Sequence, residues 1–170
     1  GGYNNLAQGD YATVPGGQAN SATGTTSFAA GRRAKANHNG AFVWGDSTNA
    51  DIASTNANSV TLRAAGGYRL YSNAAATLGA QLAANATSWS VMSDRNMKEN
   101  FRPINTEYLL DRLAHLPIME WNYKADPTQR RYIGPMAQDF HAAFGLGDDD
   151  RRINTMDTDG VALAAIQGLC

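Results

Sequence analysis

Along the first half of the chain, small apolar residues recur in short alternating runs punctuated by glycine. "NLAQGDYATVPGGQA" (5–19) aligns with "NSATGTTSFAAGRRA" (20–34), pairing Ala7 with Ala22, Gly9 with Gly24, Gly16 with Gly31 and Ala19 with Ala34. A looser third copy, "KANHNGAFVWGDST" (35–48), keeps Gly40 and Gly45. A repeat this short predicts one structural rung per copy, stacked on its neighbours. Two short strands per rung with glycine at the corners make a β-solenoid the expected form. Inward Ala, Ser and Thr fill only a thin core, so such a fibre gains most by associating laterally with copies of itself. A disordered Gly/Asn/Ser-rich linker is the alternative; the register of small apolar positions, with Phe28, Phe42, Val43 and Trp44, speaks against it.

Residues 49–92 change pattern. "NSVTLRAAGGYRLYSN" alternates Val60, Leu62 and Ala64, turns at Gly66-Gly67, then alternates Tyr68, Leu70 and Ser72, which predicts a hairpin. "ATLGAQLAANATSWSVM" predicts another strand pair turning near Ala84-Asn85. Together they form a β neck leading to residue 93.

From residue 93 the pattern becomes that of a mixed domain. Asn105 or Thr106 caps a helix to about His115, with Tyr108, Leu109, Leu113 and Leu116 on one face and Pro117 as the stop. "PIMEWNYK" predicts a strand with Met119, Trp121 and Tyr123 on its aromatic face. A short strand at Tyr132–Gly134 and a helix from about Met136 to Phe144 follow; "GDDDRR" is a solvated loop. A last helix starts near Asp157 or Asp159, and Val161, Leu163, Ala164, Ile166 and Leu169 suit it to packing on partners. A coiled-coil continuation beyond Cys170 is expected from that face. The chain starts in mid-repeat, which reads as a piece of a longer protein.

Charge sharpens the division. Residues 1–92 carry 8 charged side chains and residues 93–170 the remaining 21 of 29. Near-neutral net charge gives no electrostatic reason to expect nucleic acid or an acidic membrane as partner. Arg32, Arg33 and Lys35 form the one basic cluster of the first half and read as a solvated loop. The single cysteine, Cys170, precludes an intrachain disulfide or a cysteine-based zinc site. No apolar run reaches the length of a membrane span, and no metal or cofactor is expected.

The junction "WSVMSDRNMKENF" (89–101) is also the place where chemistry is most definite. Ser93, Asp94 or Asn96 can cap a short helical turn, and Asn96-x-x-Glu99 resembles a capping box. A second reading pairs Ser93 with Lys98. Five residues on an α-helix are about 140° apart, so the two meet only if the segment is a turn or loop. A serine hydroxyl needs a base to become a nucleophile, and a neutral lysine can serve. His115 and His141 lie on predicted helices and read as packed or surface residues.

Two resemblances extend these readings. The A-x-G…G-x-A rungs resemble the left-handed parallel β-roll heads of trimeric autotransporter adhesins, which are obligate homotrimers. "SDRNMKENF", then "LLDRL", "MEWNYK", "YIGPMAQDF" and "DTDGVALAAIQGL", over about residues 93–169 in the family's order, resembles the C-terminal intramolecular chaperone domain of endosialidase-type phage tailspikes, related tail fibres and membrane-bound myelin-regulatory-type transcription factors. That resemblance implies a domain that trimerises, guides folding of the preceding fibre, and cuts itself off at the bond before the serine. Carried to this chain, Ser93 is the nucleophile, Lys98 the general base and Met92–Ser93 the scissile bond. Asp94 and Asn100 orient the turn, and Gln138 has a structural role. Pro135 departs from the family's hydrophobic residue and puts the local strand ending in question; the long C-terminal helix that helps hold the trimer is missing.

The expected architecture is thus mixed and homotrimeric: adhesin-head-like β-roll repeats (1–48), a β neck (49–92) and an α+β chaperone module (93–170) truncated before a coiled coil. The expected function is a trimeric fibre or adhesin segment whose chaperone drives assembly and then releases itself, a serine peptidase with one self-cleavage and no external substrate. The competing reading is a permanent trimerisation cap without protease activity. A glycosidase would need a carboxylate pair, for which the repeats offer only Asp46 and Asp51. An extracellular place, on a phage tail fibre or bacterial surface, follows from the resemblance, with a host receptor engaged through upstream parts.

Overall fold

The computed structural model describes residues 1–169; Cys170, and any coiled coil after it, lie outside the described residues. The chain forms two compact units, Gly1–Lys98 and a second beginning at Glu99.

The first unit begins with stacked rungs. β1 (Leu6–Ala7), β2 (Ser21–Ala22), β4 (Ala34–Ala36) and β6 (Ile52–Ala53) form one parallel sheet in that order, and β3 (Phe28–Gly31), β5 (Phe42–Gly45) and β7 (Val60–Arg63) form another. The rung period is read from the registers. Ala7 faces Ala22, Ala22 faces Ala36, and Phe42 faces Val60, so successive steps are 15, 14 and 18 residues. Alternation turns Ala29 and Val43 inward toward Ala22, Ala34, Ala36 and Ala41, all buried. Phe28, Phe42, Trp44, Val60 and Leu62 take the outward positions of β3, β5 and β7, with Phe28 stacked on Phe42 at 4.6 Å between centroids. Val43 is the largest interior apolar side chain, so the core stabilises modestly: full burial of a valine is worth about 1.5–3 kcal/mol and a methyl about 0.8.

Backbone columns define the corners. Gly17 (φ 96°) and Gly31 (φ 87°) lie over one another, and a Cβ on Gly31 would sit 1.8 Å from the Gly45 carbonyl oxygen. Asn4, Ala19 and Arg33, then Tyr11 and Thr26, hold positive φ at equivalent corners. The alignment therefore needs a one-residue correction in its second half. A Cβ on Gly17 would lie 2.0 Å from the Gly31 carbonyl oxygen, that oxygen accepts the Gln18 N–H at 2.9 Å, and Gln18 pairs with Arg32, so Gly16 is an extra residue in the first rung's turn rather than the partner of Gly31. Ala19 accordingly matches Arg33, and Asn20 lies over Ala34, whose N–H donates to the Asn20 carboxamide at 2.9 Å.

Three further expectations change. The hairpin about Gly66-Gly67 does not form: β7 joins β5 in parallel, carrying the stacked rungs past residue 48 to Arg63. β8 (Gly67–Tyr71) instead pairs with β9 (Gly79–Ala83), and β9 with β10 (Ser90–Val91), as an antiparallel neck sheet. The basic cluster is no solvated loop, since Lys35 sits in β4 and donates to the Ala19 carbonyl at 2.5 Å, and Arg33 pairs with Asp51 at 2.7 Å. Burial of the ladder's inner face leaves these side chains only the rung's outer surface and corners.

In the second unit, α1 (Thr106–His115) is capped by Asn105, whose side chain accepts the Tyr108 N–H at 3.0 Å. Its Leu109, and Leu116 just past its end, pack with Phe140, Val161, Ala164 and Ala165. Tyr108, expected on that face, is exposed and carries the Arg112 guanidinium over its ring. β11 (Met119–Trp121) pairs antiparallel with β12 (Tyr132–Gly134), and Trp121 stacks on Tyr132 at 4.9 Å with Tyr123 edge-on. β12 ends at Gly134, before Pro135, which has no N–H to continue a ladder. α2 (Ala137–Phe144) stops at Gly145 in the left-handed region. α3 (Thr155–Gly168) begins earlier than expected because Asn154, not Asp157 or Asp159, supplies the cap. Its Val161 and Ala164 face the core, whereas Leu163, and Leu169 just past its end, are exposed.

Candidate functional site

The junction is built from the end of the neck sheet. Met92 N–H donates to the Gly79 carbonyl at 3.3 Å, the last tie of β10 to β9. After it the chain makes one 3-10 turn, Arg95–Met97, rather than an α-helix. Asp94 caps this turn: its carboxylate accepts the Asn96 N–H at 2.9 Å and the Asn96 carboxamide at 3.1 Å. Met97 N–H donates to Asp94 O and Lys98 N–H to Arg95 O, both at 3.2 Å, and the turn closes there. The helix ends before Glu99, so an Asn96–Glu99 capping box has no helix to serve.

This tight reversal brings the Lys98 ammonium to the Ser93 hydroxyl, Nζ donating to Oγ at 2.6 Å. Both side chains are exposed. With Nζ neutral, the same contact would let Oγ–H donate to nitrogen, the arrangement from which a serine can be deprotonated. Asn100 takes a left-handed backbone conformation, φ 57°, which asparagine tolerates better than most residues. Gln138 lies exposed in the first turn of α2.

The histidines stand apart from this contact in the hydrogen-bond pattern. His115 Nδ1 meets the Asp111 carbonyl at 2.7 Å and His141 Nδ1 the Leu146 carbonyl at 2.8 Å. Asp46 and Asp51 are both engaged structurally: Asp46 pairs with Arg63 at 3.0 Å and Asp51 with Arg33. The Ala65 N–H first, then Thr48 and Arg63, hold the Asp46 carboxyl well below the usual carboxylate range. The Thr128 hydroxyl and N–H likewise depress Asp126, in the loop before β12. Among the described residues no cluster of three or more His, Cys, Asp or Glu is placed to hold a metal ion.

Two placements escaped the sequence reading. His38 Nδ1 lies 2.8 Å from the Ser54 hydroxyl, which also accepts the Asn37 N–H at 3.0 Å; Ser54 is buried, so this pair ties two rungs. Arg69 on β8 lines a cavity with Met92 and Ser93. Period-two alternation reveals the face Arg69 occupies but not which strand lies beside it.

A family model described as chaperone of endosialidase matches residues 93–145, beginning at Ser93. No curated protein and no solved structure matches the chain. Among the described residues no helix is long and apolar enough to cross a membrane. After a mostly β first unit, residues 93–145 of the chain are thus similar to the chaperone-of-endosialidase family.

Proposed function

We propose that this chain is a segment of a homotrimeric fibre with an intramolecular chaperone that drives assembly and then releases itself by cutting Met92–Ser93. The observation that carries this reading is the 2.6 Å contact between Lys98 Nζ and Ser93 Oγ, one peptide unit from the Met92 carbonyl. Oγ attacks that carbonyl carbon while its proton passes to Nζ. The intermediate collapses with loss of the C–N bond, the Ser93 nitrogen taking the proton back, and leaves a Met92 ester on Oγ. Water then opens the ester to a Met92 carboxylate and a free Ser93.

A lysine removes a proton only when neutral, and removal from water favours that form. Ser93 and Lys98 are exposed in the single chain, so on this reading the assembled copies supply the burial and cleavage follows assembly. The outward row Phe28, Phe42, Trp44, Val60 and Leu62 supports self-association, because a core of alanines and one valine buries too little apolar surface by itself. Parallel rungs pair non-locally, which slows folding and favours a domain that sets register first. Cleavage then removes the route back and makes the fibre kinetically stable.

Intact mass of the purified protein, wild type beside Ser93→Ala and Lys98→Ala, tests this. Two fragments meeting at Met92–Ser93 in wild type alone, and a hydroxamate at Met92 after hydroxylamine, are expected. One full-length species in all three would leave a trimerisation cap without protease activity.

A further inference from the structure

Resting on that self-cleavage, we propose that Arg69 stabilises the charge that develops on the Met92 carbonyl oxygen and then pairs with the carboxylate formed there. The neck sheet sets the geometry. Arg69 faces Gln81, which faces Ser90, and Tyr71 faces Gly79, which receives the Met92 N–H. Arg69, Tyr71, Gln81, Ser90 and Met92 therefore share one face, alternate residues of a strand lying on the same side.

Gly79 interrupts that face. It packs so closely on β8 that a Cβ would lie 1.9 Å from the Leu70 carbonyl oxygen, so no side chain fills the space between Tyr71 and Met92. The result is a cavity of about 190 Å³ whose wall includes Arg69, Gly79, Met92 and Ser93. Arg69 is its single charged lining residue, and among the described residues it has no salt-bridge partner. An unpaired guanidinium beside the peptide to be cut is a group with no structural debt to discharge. Strands lie about 4.8 Å apart and residues two apart on a strand about 6.7 Å apart, so Arg69 on β8 and Met92 on β10, two strands across and two residues along, have backbones about 12 Å from each other; an arginine directed along that diagonal past Gly79 covers about half of it, and the Met92 carbonyl is met across the cavity the two residues share.

The chemistry calls for such a group. When the Ser93 Oγ–carbon bond forms, the electron pair of the C=O bond moves onto the Met92 oxygen. Lys98 takes the hydroxyl proton and so cannot at once act as the fixed cation for that oxygen. A guanidinium, always charged and carrying several N–H donors, can, and the same donors match the two oxygens of the product carboxylate.

The test is the first-order rate of Met92–Ser93 cleavage in the full chain, by intact mass after refolding, for wild type, Arg69→Gln, Arg69→Lys and Ser93→Ala, with far-UV circular dichroism and sedimentation on each. Loss of one donor of this kind typically slows acyl chemistry about 10²–10³-fold. Arg69→Gln is expected to cleave about 100-fold slower with unchanged fold and assembly, Arg69→Lys to recover part of the rate, and millimolar guanidinium ion to rescue Arg69→Gln. Cleavage of Arg69→Gln at the wild-type rate, or slow cleavage that neither lysine nor guanidinium restores, would overturn the role of Arg69 while wild-type cleavage upholds the parent reading. No cleavage in wild type overturns both.

Discussion

Asn20 is the place where the stacked rungs are most exposed to a single change. It is 1% exposed, and its carboxamide joins three rungs. Nδ2 donates to the Gly31 carbonyl at 2.8 Å, the Gly16 carbonyl at 3.0 Å and Asn5 Oδ1 at 3.2 Å, while Oδ1 accepts the buried Ala34 N–H at 2.9 Å. In Asn20→Ala the Ala34 N–H loses its partner, a penalty of about 1–3 kcal/mol. The lost bonds to Gly16 and Gly31 add about 1 kcal/mol each, the Gly31 oxygen still accepting the Gln18 N–H. The total of about 3–5 kcal/mol is a large share of the roughly 5–15 kcal/mol by which domains are stable. For a unit of this size about 3 kcal/mol lowers Tm by ~12 °C or more.

Asn5→Ala is the matched control. Its carboxamide makes the equivalent contacts, but those to the Gly1 and Gly17 carbonyls lie at the exposed end of the ladder where water can replace them, which leaves the part-buried Asn20 N–H as the one partner lost. Thermal melts by circular dichroism at equal protein concentration, with hydrogen exchange at the Ala34 amide, compare the two. Asn20→Ala should melt lower by several-fold the Asn5→Ala shift and should deprotect Ala34. Equal shifts, or an Ala34 amide still protected, would refute the claim that buried carboxamides hold the rungs in register.

Other consequences follow from the same geometry. Asp46 has a folded pKa below its unfolded value, so its contribution is present in full above about pH 4 and is lost as pH falls through the folded value; urea titrations should show Asp46→Asn destabilised at pH 7 and the gap to wild type shrinking in acid. Gly31→Ala should abolish the β signal or leave insoluble protein, since φ is 87° and its Cβ would collide with the Gly45 carbonyl, whereas Gly66→Ala, with open space at its Cβ, should be silent in the same solubility and dichroism assays. Replacing Phe42 and Trp44 by serine should leave monomer dichroism intact but lower the oligomer fraction in sedimentation velocity; unchanged sedimentation would remove that face from the assembly surface.

The boundaries of α1, α2 and the two strands after residue 99 were legible because their signals are local, whereas the start of α3 was placed too late among several acidic cap candidates. Asn105 caps by reaching three residues ahead, Pro135 ends β12 for want of an N–H, and Gly145 stops α2 by accepting a left-handed φ. The repeat was legible for a similar reason, each rung being written once and copied. Pairing was another matter. Val60, Leu62 and Ala64 alternate as well for an antiparallel partner as for a parallel one, and nothing nearby says that β7 belongs over β5, eighteen residues back. The one-residue slip at Gly16 is invisible for the same reason: glycine next to glycine satisfies the alignment either way, and only the stacking of carbonyl on N–H selects Gly17. The spacing of Ser93 and Lys98 required a turn if they were to meet, but their 2.6 Å approach depends on Asp94 closing that turn, and the place of Arg69 beside Met92 depends on two strand pairings. Chemistry-bearing residue types can be read from a chain because they are properties of single positions; their meeting is a property of hydrogen bonds between positions far apart, which the fold alone arranges.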